Sequence, residues 1–233
     1  MRNLMVIGVF VAILSTVVYL GIHIKRSVDS AHESACTGKL YKLSNAIANY
    51  YSNYKRFPRW CRNWNNREDE RWPDSAEAYL FEPCLEHKAG DIHLYLECPA
   101  KYGNCEMYLM VAGPKSVFQL DKDISINDVV DGIENTILFI EGAGSKPGCL
   151  QISIDDVPVL SDGSGFIQPN TTHLSGRGML FADGQIFRLI KPLSSGDIQA
   201  LMTIAGREPL TRNQLINSGH LQCVGGRRIP SDY

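Results

Sequence analysis

The sequence predicts an α+β protein: a long N-terminal helix, membrane-spanning over its first half, packs its second half on an antiparallel β-sheet. Three observations predict it. The run LMVIGVFVAILSTVVYLGI, Leu4 to Ile22, carries no charge, and about 20 apolar residues let a helix cross a ~30 Å hydrocarbon layer. Beyond it, Leu40, Leu43, Ile47, Tyr50, Tyr51 and Tyr54 recur at three-four spacing, the stripe of an amphipathic helix. Further on, segments such as IHLYLEC and CEMYLMVAG alternate as half-buried strands do.

The chain has 233 residues, of which 44% are hydrophobic and 21% charged. That composition is ordinary for a chain with a core and excludes wholesale disorder. A net charge of -2 gives no basic field for a polyanion, so nucleic acid is not an expected partner.

The elements follow in order. The Leu4–Ile22 run is longer than the h-region of a signal peptide, and YLGIHIKRSV after it offers no convincing cleavage site. An uncleaved anchor is expected, with the bilayer as its partner. From Lys25 to Tyr54 there is no proline and one glycine, Gly38. One helix of about 50 residues, ~75 Å long, is therefore expected; a break near Gly21 is the alternative. Phe57-Pro58 closes it, because the residue before proline is pushed out of the α region. The parts are thus 1–27, the membrane segment, and 28–233, the soluble domain. Within the latter, 28–56 is amphipathic helix, 57–90 an insertion, and 91–233 sheet with C-terminal loops.

The insertion carries Trp60, Trp64 and Trp72, with a short helix expected at Ser75–Phe81. Its tryptophans either cover the core or stack on a ligand. GRGMLFADGQIFRLI reads as a hairpin turning at Ala182-Asp183-Gly184. A helix is expected over Ser195–Ala205, capped by Ser194 or Ser195, with Gly206 at its C-terminal end. The polar tail to Tyr233 reads as loop.

Orientation sets two signals against each other. Arg2 stands before the run, whereas Lys25, Arg26, Lys39 and Lys42 follow it, and the positive-inside rule would keep the domain in the cytoplasm. The seven cysteines are dispersed without a C-x-x-C pair, which suits an oxidising compartment better than zinc or thioredoxin chemistry. Large domains also translocate largely regardless of charge. The expected topology is single-pass, N-terminus cytoplasmic and domain outside. Cys98 and Cys105 flank a short turn between two expected strands, a spacing compatible with the ~5.5–6 Å Cα separation of a disulfide.

The stretch CTGKLYKLSNAIANYYSNYKRFPR, Cys36 to Arg59, places Cys36, Leu40, Leu43, Ala46, Tyr50, Phe57 and Pro58 at helical spacing closing on Phe-Pro. Three blocks follow in order: Cys98-Pro99 with VAGP at 111–114, DGIENTILFIE at 131–141, and HLSGRGMLFADGQIF at 173–187. Together they resemble the bacterial type IV pilin-like proteins, often labelled G-type pseudopilins of type II secretion with a C-terminal domain of unknown function. The resemblance implies the pilin-like fold, a bacterial inner membrane as the one crossed, structural rather than catalytic action, and other pilin-like or envelope proteins as partners. It makes Cys36–Cys98 a rival disulfide pairing, since both lie in matching blocks. It also implies calcium in a late loop, for which Asp155, Asp156 and Asp162 in IDDVPVLSDGSG are the candidates. The chain departs at its start. Counted back from Cys36, the glutamate such proteins carry in the apolar run falls on Met5, and no leader precedes it. Weak or absent fibre assembly is expected.

No catalytic constellation is legible. GAGSKPG, 142–148, lacks Walker spacing, and the six histidines are scattered. Ser164 lacks an elbow context, and Asp131-Gly132 and Asp183-Gly184 read as turns. Neither an enzymatic activity nor a small-molecule substrate is expected. Two functions remain: a membrane-anchored structural or assembly subunit of a secretion or pilus-type system, or a stand-alone envelope-anchored domain that binds a glycan or protein without polymerising.

Overall fold

The computed structural model describes residues 2–58, 106–119, 122–143, 151–155, 157, 164–169 and 176–229. Trp60, Trp64, Trp72, the Ser75–Phe81 helix, Cys98, Cys105, the His173–Ser175 end of the fourth block, and the 92–98 strand lie outside them. Helix α1 is continuous over Arg2–Tyr54, 53 residues, about 80 Å at 1.5 Å per residue. Gly21 does not break it. The helix stops where Lys55 turns into the left-handed region at φ 57°, its N–H still donating to the Tyr51 carbonyl at 2.8 Å. Phe57 follows, fully buried, and its N–H donates to the carbonyl of Ile124 at 2.7 Å.

The strands are β1 (Glu106–Val111), β2 (Ile137–Ala143), β3 (Gln151–Ile152), β4 (Phe166–Ile167), β5 (Arg177–Phe181), β6 (Gln185–Leu189), β7 (Leu193–Ser194) and β8 (Leu221–Gly226). Six form one sheet in the order β3-β1-β2-β5-β6-β8, and β4 pairs β7 in a small ribbon. The sheet is antiparallel at each pairing except β1 with β3, which is parallel. β2 is buried on both faces from Ile137 to Gly142, which is why ILFIEG reads as a nearly continuous apolar run. One face of the sheet receives α1, whose contacts fall on β5, β6 and β8. The core around it includes the edge-on pairs Phe118–Phe139 and Phe181–Phe187, with centroids 5.6 and 5.4 Å apart.

The ADG hairpin forms as the sequence predicts: Leu180 pairs Ile186, and the Gly184 N–H closes the turn on Phe181. Two expectations need correction. Helix α2 spans only Ser195–Ala200; Leu201 ends it, and Thr203 to Arg207 are instead drawn onto the Asp131 carboxylate. The tail is not all loop. It holds helix α3 (Arg212–Asn217) and edge strand β8. Thr211 and Gln214 form a reciprocal capping box that starts α3, and buried Leu215 and Leu221 tie the segment to the core.

Candidate functional site

Helix α1 is the element whose two halves differ in kind. From Cys36 onward one stripe (Cys36, Leu40, Leu43, Ile47, Tyr50, Tyr51) is buried. Cys36 thus lies inside the helix–sheet seam, while Cys98, its suggested partner, lies outside the described residues. The seam admits the helix closely because Gly178 has no side chain: a Cβ there would lie 2.9 Å from Leu40 Cδ1.

Polar contacts fix the register along the seam. Ser44 Oγ donates to the Gly184 carbonyl at 2.7 Å and accepts from the Arg227 N–H at 2.8 Å. Tyr41 donates to the Val224 carbonyl at 2.9 Å. At the opposite end, the buried Arg188 side chain bonds Thr37 and pairs with Glu33 at 3.3 Å. These contacts orient α1 antiparallel to β6, with Ser44 over Gly184 and Thr37 beside Arg188.

Toward the N-terminus the packing ends. Phe10 is 68% exposed and Ile24 64%, and Val11, Ile13, Leu14, Val17, Val18, Leu20 and Ile22 are exposed between them. At 100° per residue these side chains cover roughly 200° of the helix circumference, about twice the stripe that seats a helix on a single core. Ser15, Thr16, Tyr19 and His23 share the remaining face, where the Tyr19 and His23 rings stack at 4.3 Å. Among the described residues, no helix is long and apolar enough to cross a membrane; the side chains of residues 1–9 and 12, within or beside the Leu4–Ile22 run, are outside that description.

The far end of the domain is built from the third and fourth resembling blocks. The N–H groups of Ala182 and Asp183 donate to the carbonyls of Thr136 and Ile133. Asp183 lies buried in the turn and forms a two-point ion pair with Arg212, at 2.9 and 2.7 Å. The Arg212 guanidinium is clasped by the Phe181 and Phe187 rings, 5.0 and 4.7 Å from their centroids. Asp131 accepts from the N–H groups of Gly206 and Arg207, each at 2.8 Å. Both Asp-Gly pairs are therefore structural: Gly132 and Gly184 take positive φ, and each aspartate holds neighbouring chain. Ser164 bonds within its own turn, its hydroxyl accepting from the Phe166 N–H at 3.2 Å.

Of the calcium candidates, Asp155 is exposed in a short turn, and Asp156 and Asp162 lie outside the described residues. Among the described residues, no group of three or more His, Cys, Asp or Glu is placed to hold a metal ion. Cys223 is a free, exposed thiol on β8. One carboxylate is electrostatically distinctive: the Ser125 hydroxyl and N–H, at 2.7 and 2.8 Å, hold Asp128 below the usual carboxylate range. This is the cap of the 3-10 turn Ile126–Asp128. Sequence reading missed Arg212, whose only sequence signal was the Thr211-x-x-Gln214 capping box just around it.

No family model matches the chain, and neither a curated protein nor a solved structure matches it. The fold and the two-part helix thus carry the functional argument alone.

Proposed function

We propose that this chain is a single-pass, membrane-anchored, pilin-like subunit that acts by packing within an envelope assembly of the secretion or pilus type. The observation supporting it is the change of character along α1 at Cys36: exposed apolar side chains over more than half the circumference before it, a single buried stripe after it. A helix so broadly apolar needs a lipid or a surrounding bundle. Among the described residues the sheet domain offers neither, because its contacts with the helix lie on the later half. In this reading Arg2 stays in the cytoplasm and the domain lies outside.

The test is topological and then associative. A reporter active only outside the cytoplasm, fused after Tyr233, should be active. Protease added to spheroplasts should remove the domain and leave an embedded fragment. Full protection of the chain would reverse the topology. Cross-linking in intact membranes should then capture other pilin-like proteins. Capture of none, with the chain correctly inserted, favours the second reading: an anchored domain that binds a glycan or protein without polymerising. Met5 supports that second reading, since a thioether cannot replace the subunit-pairing carboxylate the resemblance implies there. Regular filaments of the wild-type chain in electron micrographs would refute it.

A further inference from the structure

We infer that the rim formed by Ile190–Lys191 and Ile216–His220 docks on anionic lipid headgroups, as a second membrane contact beside the anchor. This rests on the membrane-anchored reading and deepens it. Because Ser44 sits over Gly184 while Thr37 and Glu33 meet Arg188, the chain leaving β6 heads toward the apolar end of α1. The Ile190 N–H donates to the His220 carbonyl at 2.9 Å, and Lys191 Nζ donates to the Ser218 carbonyl at 2.9 Å. The loop after β6 and the end of α3 therefore make one surface at that end of the domain.

Its height above the anchor follows from elementary dimensions. Arg188 stands level with about residue 35 of α1, so Ile24 lies roughly 16 Å below it along the helix. Lys191 is three extended residues further down, about 10 Å. The remaining ~6 Å is about the depth of one headgroup layer. The surface suits that layer. Ile190 and Ile216 are 39% and 37% exposed, among the few large apolar side chains exposed on the domain, with exposed Lys191 beside them. On the helix facing this gap stand Lys25 and Arg26; among the described residues the acidic groups there are Asp29 and Glu33, and Glu33 is matched by Arg188. The balance is cationic and complements lipid phosphate. Ile–Lys pairs at such a boundary bury the apolar part and lift the ammonium to the phosphates.

The experiment places the full chain in nanodiscs of zwitterionic lipid, or of the same lipid with an anionic component. Hydrogen exchange is read at peptides covering 189–192 and 216–220, with the Thr203–Glu208 segment at the far end as internal control. The expected result is exchange slowed about fivefold at the two rim peptides in anionic discs, the weight of one lysine near a charged surface, with the control unchanged. Lys191→Gln, and separately the pair Ile190→Ser and Ile216→Ser, should remove the difference; both are surface changes, and unchanged exchange in β5 and β6 checks that the variants fold. Equal exchange in the two discs by a chain that inserts overturns the docking while leaving the anchor intact. A chain that does not enter discs at all overturns the anchor, and with it the docking.

Discussion

Replacing Arg212 with methionine tests whether the far end of the domain is held by charge or by packing. Arg212 and Asp183 have side chains only 9% exposed and meet through two hydrogen bonds of 2.9 and 2.7 Å. Methionine keeps most of the volume between Phe181 and Phe187, and its sulfur still interacts with both rings. The Arg212 N–H keeps its bond to Asn135 because that contact is backbone. What the variant loses is the counter-charge. Asp183 retains one donor, the Gln185 N–H at 3.0 Å, and otherwise becomes a buried, unmatched carboxylate. Leaving one partner of a buried pair alone costs about 3–5 kcal/mol, a large share of the ~5–15 kcal/mol that stabilises a domain. Urea unfolding of the full chain in detergent, followed by circular dichroism, measures it. The double variant Asp183→Asn with Arg212→Met should recover more than half of that loss, because the amide needs no counter-ion. If Arg212→Met costs under about 1 kcal/mol, or if the double variant is as unstable as the sum of the singles, the charge argument is wrong.

Three further outcomes are expected. Leu40→Ala empties the space over Gly178 and should cost about 2–5 kcal/mol by the same unfolding assay, whereas Lys42→Ala, on the exposed side of α1, should cost under about 0.5 kcal/mol. Gly184→Ala sets a Cβ 1.9 Å from the Arg227 carbonyl at φ +81°, so it should lose at least the ~1–2 kcal/mol of left-handed strain and loosen Ile229, whose N–H bonds Asp183. Under reducing conditions maleimide should label Cys223 in the folded protein and Cys36, 1% exposed, only after denaturation; equal labelling rates would place Cys36 outside the seam.

Those experiments weigh residues that were unequally legible in the sequence. The helix could be read to within two residues of its C-terminal end, because uninterrupted helical spacing and Phe57-Pro58 are local signals. The hairpin could be read for the same reason: a positive-φ glycine between two apolar runs leaves few alternatives. β8 could not. Gln222, Cys223, Gly225 and Gly226 make no alternating pattern, and the strand exists because β6 offers it a ladder. Strand formation there is a tertiary effect that composition does not record. The 3-10 turn at Ile126–Asp128 and the shortened α2 belong with it, since both ends are set by contacts distant in sequence, Tyr51 to the Ile126 N–H and Asp131 to Gly206 and Arg207. The Asp183–Arg212 pair was half visible. The aspartate reads as a turn residue, but nothing near it names an arginine 29 positions later.

The unbroken course of α1 has a mechanical consequence. Over 53 residues there is no proline to serve as a joint, and all three interior glycines, Gly8, Gly21 and Gly38, stay helical, so the rod transmits torque from one end to the other. Rotating its first half by about 10° swings the opposite end, ~80 Å away, through roughly 14 Å. The seam contacts from Glu33 to Asn49 spread that load over many bonds rather than one. The sheet therefore moves as the head of a lever, and a small change of angle at the N-terminal end displaces it by about the thickness of a helix.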